Sequence, residues 1–196
     1  MELGFSNKMS SEMITDNDVI EREVRRWLTD AVVGLGLCPF AAKPLQEMRV
    51  AIDVSHASNA EDLVNDLHHA LSRLEETAVS KLETSLLVIP NMLQDFYDYN
   101  DFLEIADAVL QEGSWEGEIQ IASFHPDYQF AGTEKVDPEN FTNRAPYPVF
   151  HLLREDSVEQ VLASYPDPES IPERNVALMR EMDHKSLRAL FPYCFK

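Results

Sequence analysis

The chain has 196 residues, of which 44% are hydrophobic and 26% are charged, and its formal net charge at pH 7 is −19. This length and composition are ordinary for one soluble globular domain with a sizeable core. Nucleic acids and anionic membranes need basic surface, so neither is expected as a main partner of such an acidic chain. No apolar run approaches the roughly 20 residues of a membrane-spanning helix.

The N-terminal segment is expected to be a flexible tail over residues 1–17, followed by a single globular domain over residues 18–196. The segment has neither a basic start nor a continuous apolar stretch, so it is not a secretory signal. Two cysteines, Cys38 and Cys194, are too few for a disulfide framework. A reducing cytosol is therefore the expected location.

The N-terminal half is predicted to alternate helices and strands. Apolar residues at helical spacing indicate a first helix from Asp18 to Leu35. Alternation with a period of two predicts a strand over residues 49–55. Ser58 and Glu61 form a capping-box pattern at the start of a second helix. The apolar run over residues 84–89 is typical of a strand buried on both faces.

The C-terminal half continues the alternation and then becomes helical. A third helix is predicted from its N-cap Asp95 to its stop signal Gly113. The predicted strands of this half are Glu118–His125 and Pro148–Arg154. Two final helices are expected to begin at Ser157 and Ser170.

This order of elements predicts an α/β fold with a small mixed sheet of about four strands and helices packed on it. Three strands that are connected by helices imply right-handed crossovers and parallel strands. The fourth strand follows a loop without a clear helix, so it is expected to run antiparallel at one edge of the sheet. A thioredoxin-like order of elements and a ferredoxin-like α+β arrangement both remain open.

The connection from Pro126 to Tyr147 is the segment that most indicates function. Loops longer than roughly 12–15 residues are uncommon in compact domains and are usually functional or disordered. This one contains Gly132, which is expected at a positive φ, and it ends in a segment with Pro146 and Pro148, which are candidates for a cis peptide bond. The polar groups of Glu173–Asn175 are expected to dock a late helix against this loop.

Several motifs lie in or around this region. They are Gly34–Ala41 (GLGLCPFA), Phe124–Pro126 (FHP), Phe130–Thr133 (FAGT), Thr142–Pro148 (TNRAPYP), His151–Glu155 (HLLRE) and Ile171–Asn175 (IPERN). Together and in this order they resemble the bacterial family catalogued as domain of unknown function 1415. The resemblance extends from Val19 to Met182. The resemblance does not indicate which activity or cofactor the protein has, so the chemistry is inferred from residue types.

The candidate catalytic residues are Cys38, His125 and His151. The Cys-Pro-Phe motif at Cys38 is similar to a glutaredoxin site, but Ala41 stands where the second cysteine would be, and the motif follows a predicted helix instead of a strand. The thiol is either a nucleophile that a histidine activates or a small buried hydrophobe. His125 and His151 are either acid–base groups or hydrogen-bonding anchors of the long loop. No metal-ligand spacing and no phosphate-binding glycine motif is present, so no metal is expected and the cofactor stays unknown.

Arginines supply the candidate anion site. No Lys or Arg occurs between Leu82 and Glu134, whereas Arg144, Arg154 and Arg174 each lie within a motif. Forked guanidinium groups suit carboxylate or phosphate, so three converging arginines would bind a small anion. Alternatively, each pairs with acidic groups of the protein itself. The other candidate ligand-binding residues are Asn143, Thr133 and Tyr147.

The sequence therefore predicts a cytosolic enzyme or binder of small molecules, with a pocket of histidines and arginines for a carboxylated or phosphorylated metabolite. One alternative is a non-catalytic interaction module whose 126–147 loop presents aromatic anchors. These anchors are Phe124, Tyr128, Phe130, Phe141 and Tyr147. The other alternative is a monothiol redox protein that uses Cys38. A concave pocket would favour the first hypothesis, and aromatic side chains on a flat face would favour the second.

Overall fold

The computed structural model describes residues 4–195, and of residues 4–15 it describes the backbone alone. The first helix, α1, spans Gly4–Trp27 and continues as a π-helical turn over Leu28–Val33. It begins well before the predicted start at residue 18, while the division into a flexible tail and a domain stays a prediction. The helical segment ends as the chain passes through Gly36, whose φ of 63° lies in the left-handed region that favours glycine.

The other helices and strands follow in chain order. They are α2 (Ala42–Gln46), β1 (Val50–Val54), α3 (Ala60–Glu76), β2 (Thr84–Val88), α4 (Phe96–Glu112), β3 (Ile119–Phe124), β4 (Val149–Arg154), α5 (Glu155–Ser164), α6 (Ile171–Glu181) and α7 (His184–Leu190). Short 3-10 helices span Pro138–Asn143, Pro168–Ser170 and Pro192–Phe195. Asp95 caps α4 as predicted, whereas Asn59, and not Ser58, caps α3 by accepting a hydrogen bond from the Asp62 N–H at 3.0 Å.

The four strands form one mixed sheet in the order β1-β2-β4-β3. β1 and β2 are parallel neighbours, and β4 runs antiparallel to β2 on one side and to β3 on the other. The predicted α/β fold with a small mixed sheet is confirmed. The expected edge position of the fourth strand is wrong, because the loop after β3 returns the chain between β2 and β3. β3 therefore has the direction of β1 and β2 without pairing with either.

Side chains of the strands divide between two hydrophobic cores, one on each face of the sheet. Leu87, Phe150 and Leu152 pack with α3 and α4 on one face. Leu86 and Val149 pack on the opposite face, with α1, α6 and α7. Helices thus cover both faces, unlike the ferredoxin-like alternative, where helices lie on one face of an antiparallel sheet.

The connection between β3 and β4 is folded onto the protein. Its 3-10 helix places Asn140 and Phe141 in the interior, at 0% and 4% exposure. The Asn140 side chain accepts a hydrogen bond from the Phe130 N–H at 2.9 Å and donates one to the Glu134 carbonyl at 2.8 Å. Gly132 has the expected positive φ, at 79°, and the peptide bonds of the described residues are all trans. The loop is therefore a folded part of the domain.

Candidate ligand site at Cys38

A cavity of about 600 Å³ lies between the segment around Cys38, the end of β3, the 3-10 helix over Pro138–Asn143 and α6. Its lining residues are Val32, Leu37, Cys38, Phe124, Phe130, Glu139, Thr142, Asn143, Ile171, Pro172, Asn175, Val176 and Arg180. Most of these side chains are apolar. Many of them belong to the motifs that the sequence analysis singled out, so folding brings distant motifs to one place.

Cys38 is half-buried and lies between the π-helical turn and the short helix α2. Hydrogen bonds from the backbone N–H groups of Phe40 and Ala41 lower the pKa of the thiol, but burial outweighs them and raises the pKa above its ordinary value of 9.0. The thiolate is the nucleophilic form, so a raised pKa makes the resting thiol slow to react at neutral pH. The thiol therefore packs as a half-buried side chain in the cavity wall. Neither His125 nor His151 lines the cavity beside it, as the nucleophile alternative required.

The first turns of α6 hold the chain segment that precedes Cys38. The Asn175 side-chain amide donates a hydrogen bond to the Leu37 carbonyl oxygen at 2.7 Å, and Arg174 donates to the Gly36 carbonyl oxygen. Arg174 also donates to the Tyr165 hydroxyl oxygen at 2.7 Å. The expectation that α6 docks against the long loop is correct for the helix, which packs on the 3-10 helix of that loop, but wrong for residues 173–175. Arg174 and Asn175 instead fix the backbone beside the thiol.

An ion pair connects the two sides of the cavity. Arg180 of α6 lies 2.7 Å from the carboxylate of Glu139 in the 3-10 helix. This pairing lowers the pKa of Glu139 and raises that of Arg180. Sequence reasoning missed both residues because neither lies in a motif, and only the contact between α6 and the loop brings them together.

His125 lies on the other side of the sheet, away from this cavity. The side chain is fully buried and packs against the rings of Phe96 and Tyr99. Its Nδ1 accepts a hydrogen bond from the Asp127 N–H at 3.0 Å, so Nε2–H donates to the Leu93 carbonyl oxygen at 3.0 Å. Burial lowers its pKa, which keeps the ring neutral. These contacts are those of an anchor that joins two loops.

His151 lies on the same face of the sheet as Cys38 but does not line the cavity. The Thr84 hydroxyl donates to the Leu152 carbonyl oxygen at 2.6 Å, so the imidazole Nε2–H donates to Thr84 Oγ1 at 2.8 Å. Burial lowers the pKa of His151 to about 4. The ring borders a small void together with Phe40 and Ala41, behind the turn that follows Cys38.

The three candidate arginines lie in three different places. Arg144 is 4% exposed and donates hydrogen bonds to the Tyr128 and Lys135 carbonyl oxygens at 3.3 and 2.6 Å. Arg154 donates to the carbonyl oxygens of Leu74 and Thr77. Arg174 binds the segment before Cys38, as described above. The arginines do not converge on one pocket, because backbone carbonyls of separate loops take up their guanidinium donors.

The remaining candidate residues are also distributed. Asn143 lines the cavity, and its amide nitrogen lies 3.3 Å from the Ser123 carbonyl oxygen. The Thr133 hydroxyl lies inside the loop, 2.8 Å from the Phe130 carbonyl oxygen. Tyr147 lines a separate cleft and donates a hydrogen bond to Glu23 at 2.6 Å. Of the predicted site residues, Cys38 and Asn143 thus meet at the cavity wall.

Within residues 4–195, no three His, Cys, Asp or Glu side chains are grouped so that they could hold a metal ion. None of the helices that the structure describes is both long and apolar enough to cross a membrane.

The fold and the cavity define an α/β protein with helices on both faces of a mixed sheet and a half-buried thiol at a mainly apolar cavity. The family described as "Protein of unknown function (DUF1415)" matches residues 19–189. The chain belongs to this family, which confirms the resemblance inferred from the motifs. A comparison with curated proteins and a comparison with solved structures each gave no match.

Proposed function

We propose that the protein binds a small organic molecule in the Cys38 cavity and that the Cys38 thiol is the group that reacts with it. The observation that carries this proposal is the meeting of several separated motifs around one cavity of about 600 Å³, with Cys38 in its wall. This volume lies within the roughly 300–1,000 Å³ that is typical of small-molecule sites.

The wall of the cavity indicates what kind of molecule it accepts. Apolar side chains such as Phe124, Phe130 and Val176 suit an apolar body. The cationic group at this cavity is Arg180, whose Nε and one terminal nitrogen donate to Glu139. A guanidinium has five N–H donors, so Arg180 retains donors for a carboxylate or phosphate of the ligand. The proposed ligand is therefore an anionic metabolite with an apolar body.

The proposed chemistry assigns nucleophilic attack to Cys38 and no proton transfer to the histidines. His125 is buried on the far face of the sheet. His151 donates its hydrogen bond to Thr84 and does not line the cavity. The backbone N–H groups of Phe40 and Ala41 favour the thiolate of Cys38 and partly offset the effect of burial. In this step the Cys38 sulfur adds to an electrophilic carbon–carbon double bond of the bound molecule: the S–C bond forms as the π bond opens, the thiol proton ends on the neighbouring carbon, and no group leaves.

Two observations favour this proposal over the alternatives. The aromatic residues expected as anchors of an interaction module are buried or half-buried, including Phe141 at 4% exposure. The redox alternative lacks the context of a glutaredoxin site, because Cys38 follows a helical turn and not a strand, and Ala41 stands where the second cysteine would be. The acidic net charge supports a partner other than nucleic acid. A cytosolic location accords with two free cysteines.

The test combines ligand screening with protection of the thiol. Small carboxylic acids and phosphates with apolar bodies are screened by thermal shift, and hits are tested for slowing alkylation of Cys38 in a Cys194→Ser background. Val176→Phe should block binding because Val176 lines the cavity. Ala177→Phe is the matched control, since Ala177 is exposed and does not line it.

The expected result is a hit that stabilises the protein, protects Cys38 and loses both effects in Val176→Phe but not in Ala177→Phe. Failure of every compound to protect Cys38, or equal protection in the two variants, would overturn the proposal.

A further inference from the structure

A second cleft of about 190 Å³ shares no lining residue with the Cys38 cavity. It lies between one face of α1 with its π-helical turn, the segment Pro146–Tyr147 and the C-terminal segment from Leu190 to Tyr193. The site at Cys38 therefore does not account for the Ala-Pro-Tyr-Pro part of the motif at residues 142–148. Pro146 and Tyr147 of that segment form one wall of this cleft.

Three aromatic side chains line the cleft, namely Trp27, Tyr147 and Tyr193. Each is held in place by another group. Trp27 is 4% exposed and packs edge-on against Phe124, with ring centres 5.2 Å apart. The Tyr193 hydroxyl donates to the Arg144 carbonyl oxygen at 3.3 Å. Aromatic rings have electron-rich faces, which attract a cation that has left water.

The charged groups of the cleft are Glu23, Arg26 and Asp30, which lie on the same helical face as Trp27. Glu23 accepts a hydrogen bond from the Tyr147 hydroxyl at 2.6 Å, which holds its carboxylate beside an aromatic wall. Arg26 pairs with Asp30 at 3.2 Å, and its side chain is 72% exposed. The two carboxylates and one guanidinium leave the cleft with excess negative charge in a protein whose net charge is −19.

We propose that this cleft binds the ammonium group of a small organic cation. Aromatic faces together with carboxylates are the groups that recognise alkylated ammonium ions. An anionic ligand would meet repulsion from the carboxylates, and a neutral ligand would gain no ion–ion attraction from them. The cleft is smaller than the roughly 300–1,000 Å³ of pockets for drug-sized ligands, so it suits a single small head group.

Choline and its uncharged carbon isostere, 3,3-dimethyl-1-butanol, are the probes, because they share size and shape and differ in charge. Binding is followed by NMR through the two indole N–H signals of the full chain, which has two tryptophans. Choline should shift the Trp27 signal. Trp115 is an internal control, because it packs in the core on the other face of the sheet and donates its N–H to Glu75 at 2.7 Å.

Substitutions then separate the cleft from the general charge of the protein. Glu23→Gln should weaken choline binding about fivefold, as expected for the loss of one carboxylate beside a bound cation. Glu21→Gln makes the same charge change on the same helix, but Glu21 does not line this cleft, so binding should be unchanged. Tyr193→Leu should weaken binding, and Tyr193→Phe, which keeps the ring, should retain it.

The inference is supported if choline shifts Trp27 alone, the isostere does not, and Glu23→Gln and Glu21→Gln differ as stated. It is overturned if choline causes no shift at about 50 mM, well above a millimolar dissociation constant. Equal binding of choline and the isostere, or equal weakening by Glu23→Gln and Glu21→Gln, would also overturn it.

Discussion

At the scale of single residues, the buried histidines show how a chemically versatile side chain becomes a structural one. His125 and His151 are both neutral because burial disfavours the charged ring, and each uses its Nε2–H to donate a hydrogen bond within the protein. A buried imidazole with a satisfied donor stabilises one backbone arrangement. The acid stability of the protein should depend on such groups.

We expect His151 to make the protein less stable in acid. Its pKa is about 4 in the native protein and near the ordinary 6.5 after unfolding. Between these values the unfolded chain binds a proton that the native protein does not, so the unfolding free energy falls as the pH decreases. The decrease from this residue should reach about 3 kcal/mol near pH 4.

Urea denaturation of the wild type and of His151→Gln from pH 7 to pH 4 measures this effect. The stability difference between the two proteins should shrink as the pH falls, since glutamine does not titrate. Parallel pH profiles would show that His151 has an ordinary pKa in the native protein.

At the scale of elements, side chains that bind backbone carbonyls hold the long loop and connect α6 to the segment before Cys38. Arg144 holds the 126–147 loop, and Asn175 with Arg174 holds the segment before Cys38. Irregular segments lack the regular hydrogen bonds of helices and sheets, so side-chain donors must satisfy their buried carbonyl groups. These polar contacts give the Cys38 cavity two of its walls.

Arg144→Met should lower the unfolding free energy by about 2–4 kcal/mol, because it leaves the Tyr128 and Lys135 carbonyl oxygens without their donors. Arg144→Lys should recover little of this loss, since an ammonium group does not reproduce a planar fork. Chemical denaturation midpoints measure the change. Arg188→Met, at an exposed helix position, is the control and should change stability by less than about 1 kcal/mol. Full stability of Arg144→Lys would show that charge alone is sufficient.

Asn175→Ala should loosen the chain next to the thiol, because it removes the donor to the Leu37 carbonyl oxygen. The expected cost is about 1–3 kcal/mol in unfolding free energy. The alkylation rate of Cys38 in a Cys194→Ser background should rise at the same time, which a remote loss of stability at native conditions would not produce. Glu173→Ala, at an exposed position of the same helix, should change neither quantity. An unchanged alkylation rate in Asn175→Ala would show that this hydrogen bond does not restrain the segment at Cys38.

At the scale of the whole molecule, the sheet separates two cores and decides which groups can meet. His125 belongs to the face covered by α3 and α4, whereas Cys38 and the second cleft, at Trp27 and Tyr147, belong to the face covered by α1, α6 and α7. The central position of β4 makes this partition, because its alternating side chains enter both cores. The molecule therefore has its two candidate binding regions on one side.

Hydrogen exchange should report the strand order directly. Amides of β4 are bonded within the sheet on both sides, so they should exchange among the slowest in the protein, together with those of β2. Amides on the outer sides of β1 and β3 should exchange faster, because these strands are the edges. Residue-resolved exchange followed by NMR measures this. Fast exchange along β4 would place that strand at an edge, contrary to the observed order.

Much of the fold could be predicted because it depends on local patterns. The spacing of apolar residues and the Asp95 cap located α4, and the apolar run at residues 84–89 located β2. The central position of β4 could not be predicted. After a long loop, local sequence patterns do not specify which strands the next strand pairs with. The positive φ of Gly132 could be predicted from the residue type, but the set of residues that lines the Cys38 cavity could not.

The sequence by itself determined the family, the α/β class and Cys38 as the residue to examine, since these follow from motifs and periodicity along the chain. The tertiary structure decided which motifs meet. It separated the histidines from the thiol, directed Arg144, Arg154 and Arg174 to backbone carbonyls, and brought Glu139 to Arg180. The physical reason is that buried donors must find acceptors wherever the packed chain places them. That outcome depends on contacts between residues far apart in sequence.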